Sequence, residues 1–328
     1  MSKKVALVLG SGGARGYAHI GVIEELLSRG YEIGCIAGCS MGAVVGGIYA
    51  AGRLDDYRTW TESLDYLDVL RLLDVSFRLG AIRGERVFGR IHEMVGDINI
   101  EDLPIPFTAV ATDLTNHQEI WFQEGCLHQA MRASAAIPSL FTPVIQGRRV
   151  LVDGGLLNPL PIVPVVSSHC DLIVAVNLNA TNQNHYQLPV VERPAAWKNR
   201  IDQLVSSLGS HLPGFLRRNG DTAQLTDERS AMQTPVADED QASPKSASGS
   251  HVADFSGPGS LLELVNQSFE VMQTSLAQYK IAGYPPDILI NIPRRVCRFF
   301  EFYKAPELIM LGRQIAHDTL NRYENPLG

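Results

Sequence analysis

Apolar residues form short runs that alternate with stretches of helical periodicity. The run at 5–9 is followed by apolar residues at helical spacing from Ala18 to Leu27, and a second run follows at 33–37. Gly30 predicts the end of the first helix. Further runs predict strands at 107–112, 149–152, 172–176 and 287–292, and helical patterns cover 125–137 and 261–279. Strands that alternate with helices predict an α/β fold built on a layered sheet.

Glycine clusters stand at the ends of the first two predicted strands. Gly10-Ser-Gly-Gly-Ala-Arg-Gly16 follows the first strand, and Gly38-Cys-Ser-Met-Gly42 follows the second. The second cluster fits Gly-x-Ser-x-Gly, a sharp strand-to-helix turn that exposes a serine hydroxyl, here that of Ser40. A strand–helix–strand crossover makes the two strands parallel, so both clusters lie at the sheet edge where open α/β folds bind ligands. Adjacent strands would bring the loop N–H groups beside the Ser40 hydroxyl, as acyl transfer requires.

Composition and charge indicate the size of the core, the kind of partner and the compartment. A chain of 328 residues with 45% hydrophobic and 19% charged residues can bury a large core as one big domain or two small ones. The net charge of −7, without a basic stripe, disfavours a nucleic-acid partner. Five cysteines without a Cys-x-x-Cys pair fit a reducing compartment, so we expect a cytoplasmic protein.

Neither a signal peptide nor a membrane span is expected. The apolar run before Gly10 is too short for a signal peptide. Residues 33–52 are uncharged and long enough to cross a bilayer, but their glycines and the serine turn favour a buried strand and helix.

The region 181–259 departs from the α/β pattern and is interpreted as an insertion between a core at 1–180 and its C-terminal part at 260–328. Within it, 197–218 predicts an amphipathic helix with basic residues at its ends. Packing on the protein's own core is the favoured interpretation, and peripheral membrane contact is the alternative hypothesis. Residues 219–259 are rich in Ser, Asp, Gln, Ala, Gly and Pro and predict a disordered linker.

A nucleophilic Ser40 needs a base, either a histidine held by an acid or a carboxylate in a partly desolvated site. None of the nine histidines stands in a catalytic signature, and His19 falls inside the first predicted helix. Asp153 directly follows the predicted strand 149–152 and opens Asp-Gly-Gly. Asp-Gly is also a common hairpin turn, so this position alone leaves base and plain turn open.

Three motifs together resemble the patatin-like phospholipase family: Gly-x-Gly-Gly-x-Arg-Gly at 10–16, Gly-x-Ser-x-Gly at 38–42 and Asp-Gly-Gly at 153–155. The segments at 111–114, 133–138 and 158–161 also look like that family's core. The likeness covers about residues 4–180 and 260–322, and it is nearest to the bacterial branch related to the catalytic domain of neuropathy target esterase. It implies a three-layer α/β/α fold with a mainly parallel central sheet.

The resemblance also implies a Ser–Asp dyad without a catalytic histidine. Ser40 would be the nucleophile, and Asp153 would activate first the serine and then the deacylating water. The oxyanion hole would consist of the N–H groups of Gly12, Gly13 and Ala14.

Two further residues complete the expected site. Arg15 would lie near the oxyanion hole, and the N–H of Met41 would add to it by analogy with other serine turns. The function so implied is a serine acyl hydrolase that cleaves lipid carboxylic esters, of the phospholipase A or lysophospholipase kind, with no metal or cofactor. A regulatory or binding protein on the same fold, weakly catalytic or non-catalytic, remains the alternative.

Two rival enzyme classes fit less well. A dinucleotide-binding loop would need an acidic residue at the end of the second strand, where the serine turn stands instead. An α/β-hydrolase also uses the serine turn, but its nucleophile normally follows several earlier strands.

Overall fold

The computed structural model of the chain describes residues 3–72, 84–138, 140–181, 185–191 and 261–325. These residues fall within one compact unit that comprises 1–192 and 258–328. The helix predicted at 197–218 and the linker predicted at 219–259 lie outside the described residues.

The sheet of the described unit contains eight strands. They are β1 (Lys4–Leu9), β2 (Glu32–Cys39), β3 (Phe107–Asp113), β4 (Gln118–Phe122), β5 (Val144–Gln146), β6 (Arg149–Asp153), β7 (Leu172–Ala180) and β8 (Ile288–Pro293). Hydrogen-bonded neighbours follow the order β5-β6-β3-β2-β1-β7-β8, and β4 also pairs with β3. Strands β3, β2, β1, β7 and β8 are parallel, whereas β4 and β6 run antiparallel to β3. The prediction of an α/β fold with a mainly parallel sheet is confirmed.

Helices cover both faces of this sheet. The described helices are α1 (Ala18–Ser28), α2 (Met41–Ala50), α3 (Leu54–Ser63), α4 (Tyr66–Leu72), α5 (Glu85–Val95), α6 (Leu127–Ser134), α7 (Leu261–Gly283) and α8 (Ala305–Glu324). Alternate side chains of β1 point to opposite layers: Leu7 packs in a core with α1, α2 and α8, whereas Val8 packs in a smaller core with Ala277 of α7. Burial on both faces explains the continuous apolar runs in the sequence. Across the described part of the chain, no helix has the length and apolar character needed to span a membrane.

Strand β3 brings the ends of β2 and β6 together. Along one edge, β3 pairs with β4 over its residues 109–113. Along the other edge it pairs first with β2, up to Val110 opposite Cys39, and then with antiparallel β6, from Ala111 opposite Asp153. Each residue on this edge of β3 can pair with only one strand. β2 and β6 therefore occupy successive lengths of the same edge. Their carboxyl ends meet head to head between Val110 and Ala111.

Candidate active site

Ser40 forms the sharp turn between β2 and α2. Its backbone has φ 56° and ψ −125°, a left-handed conformation that costs energy for any residue other than glycine. The Ser40 N–H donates to Ser134 Oγ at 2.9 Å, and the Ser134 hydroxyl donates to the Val110 carbonyl at 2.6 Å. Ser134 therefore ties the strained turn to β3. Sequence analysis assigned no role to this serine, although it stands in one of the segments that resemble the family core.

The hydroxyl of Ser40 donates to Asp153 Oδ2 at 2.5 Å. Both side chains are fully buried. The second carboxylate oxygen, Asp153 Oδ1, accepts the N–H of Gly155 at 2.7 Å. Burial raises the pKa of Asp153 to about 7, and the hydrogen bonds from Ser40 and Gly155 oppose that rise. The carboxylate thus has both the position and the proton affinity of a general base near neutral pH.

The glycines of the Asp-Gly-Gly turn leave room for neighbouring elements. A Cβ at Gly154 would lie 2.1 Å from the Val110 carbonyl oxygen, and one at Gly155 would lie 2.1 Å from Nε2 of Gln273 in α7. Neither glycine has a positive φ, so close approach is the reason for both. The turn that follows Asp153 is thereby packed closely between β3 and α7.

The glycine loop presents two unused N–H groups. The Gly10 and Ser11 N–H groups donate to backbone carbonyls of neighbouring segments at 3.1 and 2.8 Å, and the Ala14 N–H donates to the Phe299 carbonyl at 2.9 Å. The N–H groups of Gly12 and Gly13 have no hydrogen-bond partner among the described residues. Unpaired backbone donors are rare inside proteins, and two in succession favour an anion site.

This loop lies directly against the serine turn. A Cβ at Gly16 would be 2.3 Å from Met41 Cβ, and one at Gly42 would be 2.8 Å from the Gly10 carbonyl oxygen. The Met41 N–H, at the start of α2, also lacks a partner in the described part of the chain. Its helix adds a positive dipole end beside Ser40.

Two residues expected at the oxyanion hole are engaged elsewhere. The Ala14 N–H donates to the Phe299 carbonyl. In this loop it is therefore the N–H groups of Gly12 and Gly13, and not that of Ala14, that could donate to an oxyanion. The guanidinium of Arg15 is buried and donates to Glu270 Oε1 at 3.0 Å and to the Arg294 carbonyl at 2.9 Å. The Arg15 side chain therefore ties the loop to Glu270 and to the segment around Arg294.

The histidine nearest to the loop also has a supporting role. His19 Nε2 lies 2.9 Å from the Gly10 carbonyl oxygen, and burial lowers the pKa of His19 to about 4. The neutral ring donates this N–H to the loop carbonyl. Its partner is a backbone group, and the Ser40 hydroxyl bonds to Asp153 instead.

An apolar pocket of about 60 Å³ opens from Ser40. Its wall is formed by aliphatic and aromatic side chains from several helices and from the segments that connect them. They include Tyr17, Met41, Val44, Tyr57, Trp60, Leu64, Val69, Val87, Phe88, Ile91, Ile137, Phe141 and Phe302. Such a lining suits a hydrocarbon chain better than a polar group.

Comparison with known proteins shows which family the chain resembles. The sequence model of the family described as patatin-like phospholipase matches residues 7–166. A protein of Mycobacterium tuberculosis (strain ATCC 25618 / H37Rv), named as an uncharacterized NTE family protein, is 42% identical over 98% of this chain and 93% of its own length. Neuropathy target esterase sws of Drosophila persimilis is 34% identical over 48% of this chain and 11% of its own length. Among solved structures, VipD from Legionella pneumophila has a TM-score of 0.45 at 15% identity, over 85% of this chain and 67% of that one.

The sheet, the serine turn and the matched segment define a patatin-like phospholipase domain. The chain belongs to the NTE family of such proteins. The family resemblance found in the sequence is thus confirmed, and membership supports a lipid esterase or hydrolase activity in general terms.

Proposed function

We propose that this protein is a serine ester hydrolase that cleaves carboxylic esters of lipids through a Ser40–Asp153 dyad. The observation that carries the proposal is the 2.5 Å hydrogen bond between the Ser40 hydroxyl and a buried carboxylate at the head of an apolar pocket. A hydroxyl is a weak nucleophile at neutral pH, and an adjacent base is what activates it.

Acylation follows from this arrangement. Asp153 takes the hydroxyl proton while Ser40 Oγ attacks the ester carbonyl carbon, and the carbonyl electron pair moves onto oxygen. The N–H groups of Gly12 and Gly13, with that of Met41, donate to the resulting oxyanion. When the carbonyl re-forms, the ester C–O bond breaks and the leaving alkoxide takes the proton from Asp153. The products of this half-reaction are the free alcohol and an acyl group on Ser40.

Deacylation repeats the steps with water. Asp153 removes a proton from water, whose oxygen attacks the acyl carbon. The same N–H groups stabilise the second oxyanion, and its collapse breaks the bond to Ser40 Oγ. Ser40 recovers its proton from Asp153, and a fatty acid leaves. Asp153 gives back the proton that it gains within the same half-reaction. The proposed scheme therefore uses no metal or cofactor.

The pocket supports an acyl chain as the part of the substrate bound beside Ser40. Its lining is almost wholly apolar, and an alkyl chain would lose no hydrogen bonds on entering it. We therefore propose phospholipase A or lysophospholipase-type esters as substrates.

Peripheral membrane contact through 197–218 stays a hypothesis. Liposome co-sedimentation with and without those residues tests it, and equal binding would contradict it.

The first experiment is labelling of the purified protein with a fluorophosphonate probe, with the adduct mapped by mass spectrometry. We expect an adduct on Ser40 that is absent in Ser40→Ala and reduced in Asp153→Asn. Ser63→Ala, at an exposed serine of α3, is the matched control and should label like the wild type. Turnover of p-nitrophenyl esters from acetyl to palmitoyl is measured in parallel. A folded wild-type protein with neither adduct nor turnover would favour the alternative, a binding protein on the same fold.

A further inference from the structure

One face of helix α7 contacts the chain on both sides of the Gly12–Gly13 dipeptide. Nε2 of Gln273, a fully buried side chain, donates to Ser11 Oγ at 2.9 Å. Glu270, three residues earlier on the same face, pairs with Arg15 at 3.0 Å. Helix α7 thus reaches one residue that precedes the unpaired N–H groups and one that follows them closely.

The residues beside the dipeptide are fixed from several sides. The Ser11 N–H donates to the Pro159 carbonyl at 2.8 Å, and the Ser11 carbonyl accepts from Asn179 Nδ2 at 2.9 Å. Ser11 is buried, so its hydroxyl also needs a partner, and Gln273 supplies one. Gly12 and Gly13 have no side chains with which to anchor themselves. Their N–H groups therefore take the direction that the residues on either side impose.

Gln273 also lies over the Asp-Gly-Gly turn. The Cβ position of Gly155 would be 2.1 Å from Gln273 Nε2, 2.8 Å from Ser11 Oγ and 2.9 Å from Asp153 Oδ1. One amide is thereby wedged between the loop that offers the oxyanion donors and the turn that carries the base. The Gln273 amide can approach this closely because residue 155 is a glycine and has no Cβ.

The hydrogen bond to Ser11 satisfies only one end of this buried amide. Oε1 of Gln273 is buried and has no hydrogen-bond partner among the described residues. A buried polar atom without a partner costs free energy, and an apolar side chain of the same length would avoid that cost. Polar groups retained at such a cost are typical of functional sites.

We propose that Gln273 is a positioning residue that fixes the glycine loop relative to the Asp153 turn, so that the Gly12 and Gly13 N–H groups point at the oxyanion. Glu270 supports the same arrangement through Arg15. This inference rests on the proposed Ser40–Asp153 hydrolase. Gln273 itself makes no hydrogen bond to Ser40 and does not line the apolar pocket, so it acts through Ser11 and Gly155.

The test is Gln273→Met, which keeps the side-chain length and removes the amide. Gln267→Met, at an exposed glutamine of the same helix, is the matched control. We expect kcat for p-nitrophenyl esters to fall about 10- to 100-fold in Gln273→Met, because a small misplacement of oxyanion donors is costly. KM should stay within about twofold, since uniform substrate binding is unaffected. A kcat equal to that of Gln267→Met would overturn the proposal.

Double-mutant kinetics separate positioning from a general structural role. If Gln273 acts through its hydrogen bond to Ser11, the double variant Ser11→Ala/Gln273→Met loses no more kcat than the worse single variant. Independent, multiplicative losses would contradict that route.

A second variant covers the case in which Gln273→Met folds poorly. Gln273→Glu keeps the shape and adds a carboxylate near Asp153, so it should move the pH dependence of activity to higher pH. An unmoved profile would show that the side chain does not lie over the Asp153 turn. Wild-type protein without labelling or turnover overturns both proposals, whereas an active wild type with a normal Gln273→Met overturns only the positioning role.

Discussion

Ser40 and Asp153 are hydrogen-bonded at 2.5 Å because β2, which ends directly before Ser40, and β6, which ends at Asp153, meet head to head on one edge of β3. Cys39 lies opposite Val110, and Asp153 lies opposite the next residue, Ala111. The separation of the two groups is thus set by the hydrogen-bond register of a sheet and not by flexible loops. A site held this way is already organised before substrate binds.

Activity should rise with pH through about 7. Burial raises the pKa of Asp153 to about 7, and only the ionised carboxylate can take the proton of Ser40. We therefore expect kcat/KM for an uncharged ester to increase across neutrality and to level off above about pH 8, one unit beyond that pKa. The measurement is a pH–rate profile on an ester without titratable groups. A profile already flat from pH 5 upward would mean that Asp153 is not the titrating base.

Asp153→Asn should make the protein more stable at high pH. The carboxyl ionises near 3.8 in the unfolded chain and near 7 in the folded one, so the folded state binds the extra proton between these values. The contribution of this carboxyl to the free energy of unfolding of the wild type therefore falls as pH rises from about 4 to 7, by up to about 4 kcal/mol. Above about pH 7 this contribution no longer changes. The Asn side chain of the variant does not ionise, so the variant does not lose this stability.

The corresponding experiment is denaturant unfolding of wild type and Asp153→Asn at pH 4 and pH 8. We expect little difference at the lower pH and a more stable variant at the higher one. Asp55→Asn, at an exposed aspartate of α3, serves as the control and should keep the wild-type fall in stability between the two pH values, because it retains Asp153. A variant less stable than wild type at pH 8 would refute the buried-charge argument.

Ser134→Ala should weaken both the fold and the turnover. The change removes the acceptor of the Ser40 N–H and the donor to the Val110 carbonyl, both in a buried site. Unsatisfied buried groups of this kind cost about 1–3 kcal/mol. Since the same bonds hold Ser40 at its positive φ, kcat should fall as well. Urea unfolding and ester turnover measure the two effects. Ser63→Ala is the control, and identical behaviour of the two variants would dismiss the role of Ser134.

The sequence predicted the buried part of the sheet well. Six of the eight strands, with ends that differ by at most four residues, were visible because burial on both faces makes them continuous apolar runs. Strands β4 and β5 were missed because they are short and carry polar and exposed residues. Periodicity also does not encode strand direction, so the antiparallel course of β6 could not be predicted from it.

The site was predictable only where chemistry and local motif coincide. The serine turn and Asp-Gly-Gly each carry a sequence signal, and the structure brings Ser40 and Asp153 into contact. Gln273 carries none, because its role depends on a helix far along the chain that packs over Gly155. The engagement of the Ala14 N–H by Phe299 likewise depends on a distant segment.

Two helical glycines should respond in opposite ways to alanine. A Cβ at Gly42, in α2, would lie 2.0 Å from the Leu9 carbonyl oxygen, which belongs to a central strand and cannot move aside. Gly42→Ala should therefore destabilise by at least about 2 kcal/mol and disturb the serine turn. A Cβ at the exposed Gly89 of α5 would meet no atom of another element within 4 Å, so Gly89→Ala should stabilise by about 0.5–1 kcal/mol. Thermal unfolding of both variants checks the pair, and a tolerated Gly42→Ala would contradict the tight contact between α2 and β1.

The apolar pocket that opens from Ser40 should determine which acyl-chain lengths are cleaved. Val87 of α5 is a half-buried part of its wall. A tryptophan there would fill space that an acyl chain needs, so Val87→Trp should keep turnover of acetyl esters and lose that of long-chain esters. Each excluded methylene is worth roughly 1 kcal/mol, so the ratio of long-chain to acetyl kcat/KM should fall at least about tenfold. Val95→Trp, on the same helix but away from the pocket lining, is the control for the bulk of the indole. If both variants gave the wild-type chain-length profile, the acyl chain would have to bind elsewhere, and the pocket that opens from Ser40 would lose its assigned role.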